Sequence, residues 1–231
     1  MPQASLRRIG FPWSAGLVQR TLASVGGTIA AARHALAVGW CGGLAGGTHH
    51  AFRDEGSGFC VFNDIAVAIE VVRRENLAQR VSIVDLDVHQ GDGTAAIFEE
   101  DKDVLTISVH GQNNFPVRKR RSKLDVPLAD GTGDAEFLIE VQRVLMRALQ
   151  FQPDLLFFQS GVDGLEQDTL GRLALTHAGL KERDRMVLNA CRESKVPCVI
   201  TLGGGYAEPI DLTVQAHVNT FLTAAEIYRS K

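Results

Sequence analysis

The sequence predicts an α/β fold in which a mostly parallel central sheet is sandwiched between two layers of helices. Two observations lead there. Short apolar runs at 81–87, 104–109, 155–158 and 198–202 alternate with stretches of helical length, the order of repeated β-α-β units. Those runs are apolar almost throughout rather than at every second residue, as in strands buried on both faces of a parallel sheet. A third observation concerns function. Polar and glycine-rich segments follow the runs, at the carboxyl ends of strands where open parallel sheets bind ligands.

Element by element, Ser14 caps a helix that runs through Leu17, Val18, Leu22, Val25 and Ile29 to about Val38, with Gly26-Gly27 permitting close packing. Residues 39–58 are dense in glycine and contain no convincing strand. A helix near 62–77 leads to the strand at 81–87 and a short helix near 94–99. After the strand at 104–109, residues 110–133 read as a long irregular loop of the kind that lines a site. Helix 134–150, strand 155–158, loop 160–175, helix 177–193, strand 198–202 and a helix near 209–227 complete one domain over residues 1–231.

Composition narrows the function classes. A net charge of −3 gives no electrostatic basis for nucleic-acid binding, and no apolar run is long enough for a membrane helix or a signal peptide. Cys41, Cys60, Cys191 and Cys198 lack C-x-x-C spacing, so the expected compartment is a reducing one, the cytoplasm.

The chemistry concentrates in Asp85-Leu86-Asp87-Val88-His89-Gln90-Gly91-Asp92. In extended chain Asp85, Asp87 and His89 point the same way, about 6–7 Å apart. Carboxylates held so close at the edge of an apolar core need a cation or donors to compensate them. Asp163, after the third strand, is a plausible further ligand, although such an acid can equally cap a turn. With Asp87 and His89 it makes two oxygens and one ring nitrogen with an open position, the donor set of a catalytic zinc site. Such a mixed set also accepts ferrous iron. His49-His50, flanked by glycine, is the natural acid/base element, with Asp85 and Asp92 available to orient it. Tyr206, after Gly203-Gly204-Gly205, can donate to a developing oxyanion. Arg118-Lys119-Arg120-Arg121 reads as a solvated loop face.

Taken together, Gly46-Gly47-Thr48-His49-His50-Ala51, Ser57-Gly58-Phe59-Cys60-Val61-Phe62-Asn63-Asp64, the Asp85–Asp92 run, Asp163 and Leu202-Gly203-Gly204-Gly205-Tyr206 resemble the zinc-dependent histone deacetylase family, from about Phe11 to Phe221. Phe115-Pro116-Val117-Arg118-Lys119 is most similar to the class IV branch and its bacterial relatives. The resemblance implies the arginase/deacetylase fold, with the N-terminal part of the family domain missing and a sheet edge left open. It implies zinc on Asp87, His89 and Asp163, His49 paired with Asp85, His50 paired with Asp92 as proton acceptor, and Tyr206 polarising the substrate carbonyl. Phe59, Phe115 and Leu170 would shape an acyl-lysine tunnel. Potassium would be held by Asp85, Asp87, His89, Ser108 and Val109, with Phe98 at a second site. The implied substrates are an acylated lysine peptide or protein, or a small acylated amine. Leu170 stands where polyamine-specific relatives carry glutamate, which disfavours acetylpolyamines. A truncated, inactive scaffold is the alternative from another class. A two-manganese ureohydrolase is disfavoured because His49-His50 and Tyr206 suit a single-metal amide site.

Overall fold

The computed structural model describes residues 2–229. Its six strands are β1 (Trp40–Gly42), β2 (Val81–Asp85), β3 (Val104–Gly111), β4 (Leu124–Leu128), β5 (Leu155–Gln159) and β6 (Cys198–Thr201). They form one sheet in the order β1-β6-β5-β2-β3-β4, and every pairing is parallel. The sheet separates two cores. Residues of the central strands alternate between them: Leu156 and Phe158 pack with Phe137, Val141 and Leu188 on one face, whereas Leu155 and Phe157 pack with Ala32, Ile65 and Ile69 on the other. The first face is covered by α5 (Asp134–Gln150), α6 (His177–Glu193) and α7 (Asp211–Arg229), the second by α2 (Ala15–Val38) and α3 (Asp64–Arg74). Burial of both faces explains the unbroken apolar runs, each large side chain contributing about 1.5–3 kcal/mol.

Helix starts follow local chemistry. Ser14 accepts from Leu17 N, Asn63 from Ala66 N and Thr176 from Gly179 N, each at 3.0 Å. Gly26 and Gly27 face open space rather than a packed neighbour, so they do not serve close packing. Three further elements depart from the sequence expectation. The glycine-dense 39–58 stretch contains β1, and the 110–133 loop contains β4. A helix, α1 (Gln3–Ile9), precedes Ser14. β4 is an edge strand paired only to β3, which is why it tolerates Pro127. β2 ends at Asp85, and Asp87–His89 turn over the rim before α4 (Asp92–Ile97).

Candidate active site

Parallel pairing places the ends of β2, β3, β5 and β6 on one rim, and the residues beyond them form a buried cup. His89 Nδ1 lies 3.0 Å from Asp163 Oδ2 and 3.2 Å from Asp87 Oδ1. All three side chains offer ligand atoms within 4.8 Å of one another. The remaining oxygens are committed to the backbone: Asp163 Oδ1 accepts from Val88 N at 2.9 Å, and Asp87 Oδ2 from Gly204 N at 2.7 Å. Glycine is required where the chain closes on these acids. A Cβ at Gly161 would run into the Asp87 carboxylate, and one at Gly204 into that of Asp163.

The electrostatics of the cup are compatible with a bound cation. Burial and the neighbouring Asp87 charge push Asp163 up to about 7. Burial would lower His89, but its bonds to Asp163 and Asp87 outweigh that and hold it up at about 10. Asp87, despite burial, is held well below the usual carboxylate range by His49 and His89. Two buried acids drawing protonated imidazoles are under-compensated, and a divalent ion supplies that positive charge through the same atoms. The donor set therefore fits a metal such as zinc or ferrous iron.

Beside the cup stand two orienting pairs. His49 Nδ1 meets Asp85 Oδ2 and His50 Nδ1 meets Asp92 Oδ1, both at 2.7 Å. A carboxylate only accepts, so each Nδ1 carries hydrogen and each Nε2 is left as the second ring nitrogen. The rings lie 4.1 Å apart yet differ electrostatically. Burial would lower His49, but Asp85 and Asp87 overcome it and hold it at about 9. Burial and the His49 charge push His50 down to about 4. His50 is therefore neutral near pH 7 with a free lone pair at Nε2.

The cavity above the cup has a volume of about 960 Å³ and is lined by Phe59, Phe115, Leu170 and Tyr206 as well as Asp87, His89, Asp163 and both histidines. Phe59 adopts φ 64°, a left-handed conformation held by Phe59 N donating to Ile9 O at 2.8 Å. Phe115 stands edge-on to His50 at 4.8 Å between ring centres. Burial, then the charges of Asp87 and Asp163, raise the Tyr206 phenol, which stays protonated as a donor. Ser108 sits in register with Asp85 and its hydroxyl lies 3.0 Å from His110 Nδ1. Val109 and Phe98 are buried close by in the chain.

Several supporting residues escaped the sequence reading. Asp168 accepts from Tyr206 N at 2.6 Å and from Leu170 N and Gly171 N at 2.8 Å, so it joins two walls of the cavity. Asp64 accepts from Gly47 N, Thr48 N and Thr28 Oγ1 and shapes the turn before His49. Gln90 holds the Phe115 loop: Gln90 N donates to Phe115 O at 3.3 Å, and its amide exchanges bonds with Arg120 N and O at 2.8 and 2.7 Å. These bonds join side chains to distant backbone and have no fixed sequence spacing.

Comparisons with known proteins bear on the family and the fold. Residues 5–221 match the family described as Histone deacetylase domain. The chain is 49% identical over 223 residues to an uncharacterised protein of Picosynechococcus sp., covering 96% of this chain and 74% of that one. It is 36% identical over 173 residues to the histone deacetylase-like amidohydrolase of Pseudomonas aeruginosa, covering 69% of this chain and 46% of that protein. Among solved structures, the acetylpolyamine aminohydrolase of Burkholderia pseudomallei superposes with a TM-score of 0.76 at 26% identity, over 90% of this chain and 63% of that one. The chain thus spans less than two thirds of that solved relative and about half of the Pseudomonas protein.

Proposed function

The chain belongs to the histone deacetylase family, and from that premise we propose that it hydrolyses the amide of an acylated lysine or a similar linear amine. The observation that carries this reading is the meeting, in one cavity, of the Asp87/His89/Asp163 cup, the neutral His50 ring and the Tyr206 phenol. Both the Pseudomonas relative, by its name an amidohydrolase, and the Burkholderia aminohydrolase support amide cleavage as the reaction class.

Asp87, His89 and Asp163 would hold zinc, or ferrous iron, which when bound supplies Lewis-acid polarisation of the acyl carbonyl and a more acidic water. The chain's own groups do the rest. His50, oriented by Asp92, takes a proton at Nε2 from the attacking water and returns it to the nitrogen that leaves, so amide plus water gives carboxylate plus amine. Tyr206 donates to the carbonyl oxygen as negative charge grows there. His49, held by Asp85, would tune the electrostatics around that charge rather than move the proton. Phe59, Phe115 and Leu170 surround the linear acyl-bearing chain with apolar surface and exclude water. Backbone atoms of Asp85, Asp87, His89 and Val109 with the Ser108 hydroxyl would accommodate a structural potassium ion beneath the site, and Phe98 would border a second.

Leu170 at the mouth favours a lysine side chain over a polyamine, since it offers no carboxylate to a second cationic nitrogen. The test is turnover of a fluorogenic acetyl-lysine peptide by metal-stripped and zinc-reconstituted protein. Activity should return with about one metal equivalent, and Tyr206→Phe should lower kcat by about a hundredfold with metal content unchanged. Zinc-loaded protein inert on acetyl, longer acyl and polyamine substrates alike would leave the inactive scaffold as the better reading.

A further inference from the structure

Apart from Asp87 and Asp163, every Asp, Glu, Lys or Arg side chain lining the cavity is an arginine: Arg7, Arg8, Arg20 and Arg172. The whole chain carries a charge of −3, so this excess of cations is local. Arg8 is neutralised by Glu55, and Arg172 by Asp130 at 3.3 Å. Arg7 and Arg20 have no carboxylate partner among the described residues. The Arg20 guanidinium lies 5.0 Å above the Phe11 ring, which packs against Phe59 at 5.3 Å. That contact fixes the cation beside an aromatic wall of the passage while leaving its charge and N–H edge available.

On the Phe115 side, the cations of the loop do not line the cavity. Lys119 turns inward and donates to Asn114 O and Pro116 O at 2.5 and 2.8 Å. Arg120 instead stays outside, its backbone clamped by Gln90 and its guanidinium 5.5 Å over Phe52. Arg118, Arg120 and Arg121 are exposed and stand outside the lining of the cavity. The flank that carries Arg7 and Arg8 is anchored to the scaffold. α1 docks through Gly58 N donating to Arg8 O at 3.2 Å and Phe59 N to Ile9 O at 2.8 Å.

We propose that the mouth selects substrates in which carboxylates flank the acylated amine, an acidic peptide segment lying against Arg7 and Arg20. This deepens the amide-hydrolase reading and takes the acyl-lysine passage from it. The carboxylates belong outside the passage. Arg7 and Arg20 are exposed, whereas the deep end offers acids and no lysine or arginine. A polycation would meet this rim with the wrong sign.

Acetyl-lysine peptides of one length with Glu, Gln or Lys flanks test it, read as kcat/KM and, by fluorescence anisotropy, as Kd. The Glu:Lys ratio within each protein is the readout, so a general loss of folding or turnover cancels. In the wild type it should be about tenfold or more at low salt, a modest fraction of what charge steering reaches, and should shrink at high salt. Arg7→Glu/Arg20→Glu should invert it, whereas Arg143→Glu on α5, away from the cavity, should leave it unchanged. A ratio near one, a ratio insensitive to salt, or one indifferent to Arg7→Glu/Arg20→Glu overturns the inference. Succinyl-lysine in a neutral peptide outrunning acetyl-lysine overturns it too, because carboxylate recognition would then lie inside. The two readings fail separately. Turnover of the Gln-flanked peptide without charge preference refutes the acidic partner alone, and charge-selective binding with no turnover refutes the hydrolase alone.

Discussion

Replacing Asp168 with alanine tests whether the Tyr206 donor is placed by a side chain outside the chemistry. Asp168 serves three backbone N–H groups, those of Tyr206, Leu170 and Gly171. An orphaned buried donor costs about 1–3 kcal/mol. Leu170 is 46% exposed at the mouth, so water can rescue the two donors there. The donor at Tyr206 is partly buried, like the other two. The net cost is about 2 kcal/mol, which for a chain of this size lowers Tm by about 4–8 °C. The functional cost is bounded from above. If Asp168 acts only by positioning Tyr206, its loss cannot exceed that of removing the phenol, about a hundredfold in kcat. We expect Asp168→Ala to lose about ten- to a hundredfold in kcat on the acetyl-lysine peptide. Tyr206→Phe/Asp168→Ala should be no slower than Tyr206→Phe alone, the non-additivity of residues acting as one unit. Multiplicative losses in the double variant, or a kcat within twofold of wild type for Asp168→Ala, would refute the reasoning.

Three further outcomes follow from the same coordinates. Gly161→Ala places a methyl group against the Asp87 carboxylate and should weaken metal binding by about tenfold or more in a chelator competition, a loss of about 1.4 kcal/mol or more. Arg183→Met strips a fully buried guanidinium from Asp184 and from the Gly161 and Ser160 carbonyls. Denaturant melts should register about 3–5 kcal/mol of destabilisation, because burial already raises the Asp184 carboxyl and its partner would be gone. His110 is pushed down to about 4 by burial, whereas in the unfolded chain it titrates near about 6.5. The unfolded state therefore binds the proton first as pH falls, so this contribution is complete above about pH 6.5 and is lost progressively down to about pH 4. Urea midpoints should fall across that window, and more shallowly in His110→Gln.

Much of this was legible in advance, for physical reasons. Leu155–Phe158 and Val81–Val84 read as strands because both of their faces meet helices. α5 and α6 kept their expected bounds, 134–150 and 177–193, because their apolar periodicity and polar flanks agree with their packing. β1 was missed because three residues at a sheet edge, one of them glycine, carry no pattern. β4 was missed because Leu124–Leu128 is half solvated and interrupted by proline. Within the site, the expected alternation does not direct the polar residues, because β2 stops at Asp85 and the chain turns through Asp87–His89. Asp85, Asp87, His89 and Asp163 could still be picked out as polar residues at or just past strand ends. Asp64, Gln90 and Asp168 could not. Their partners are backbone atoms of other loops, with 38 residues separating Asp168 from Tyr206.

The glycines packed against the two acids carry one more implication. Since Gly161 and Gly204 bring bare main chain against the ligand carboxylates, no side chain there can be exchanged to retune the cup. Diversification by descent or by directed evolution is thereby pushed outward. A library spread over Leu170, Phe59 and Phe115 should yield altered preferences, while one aimed at the cup should yield mostly dead protein.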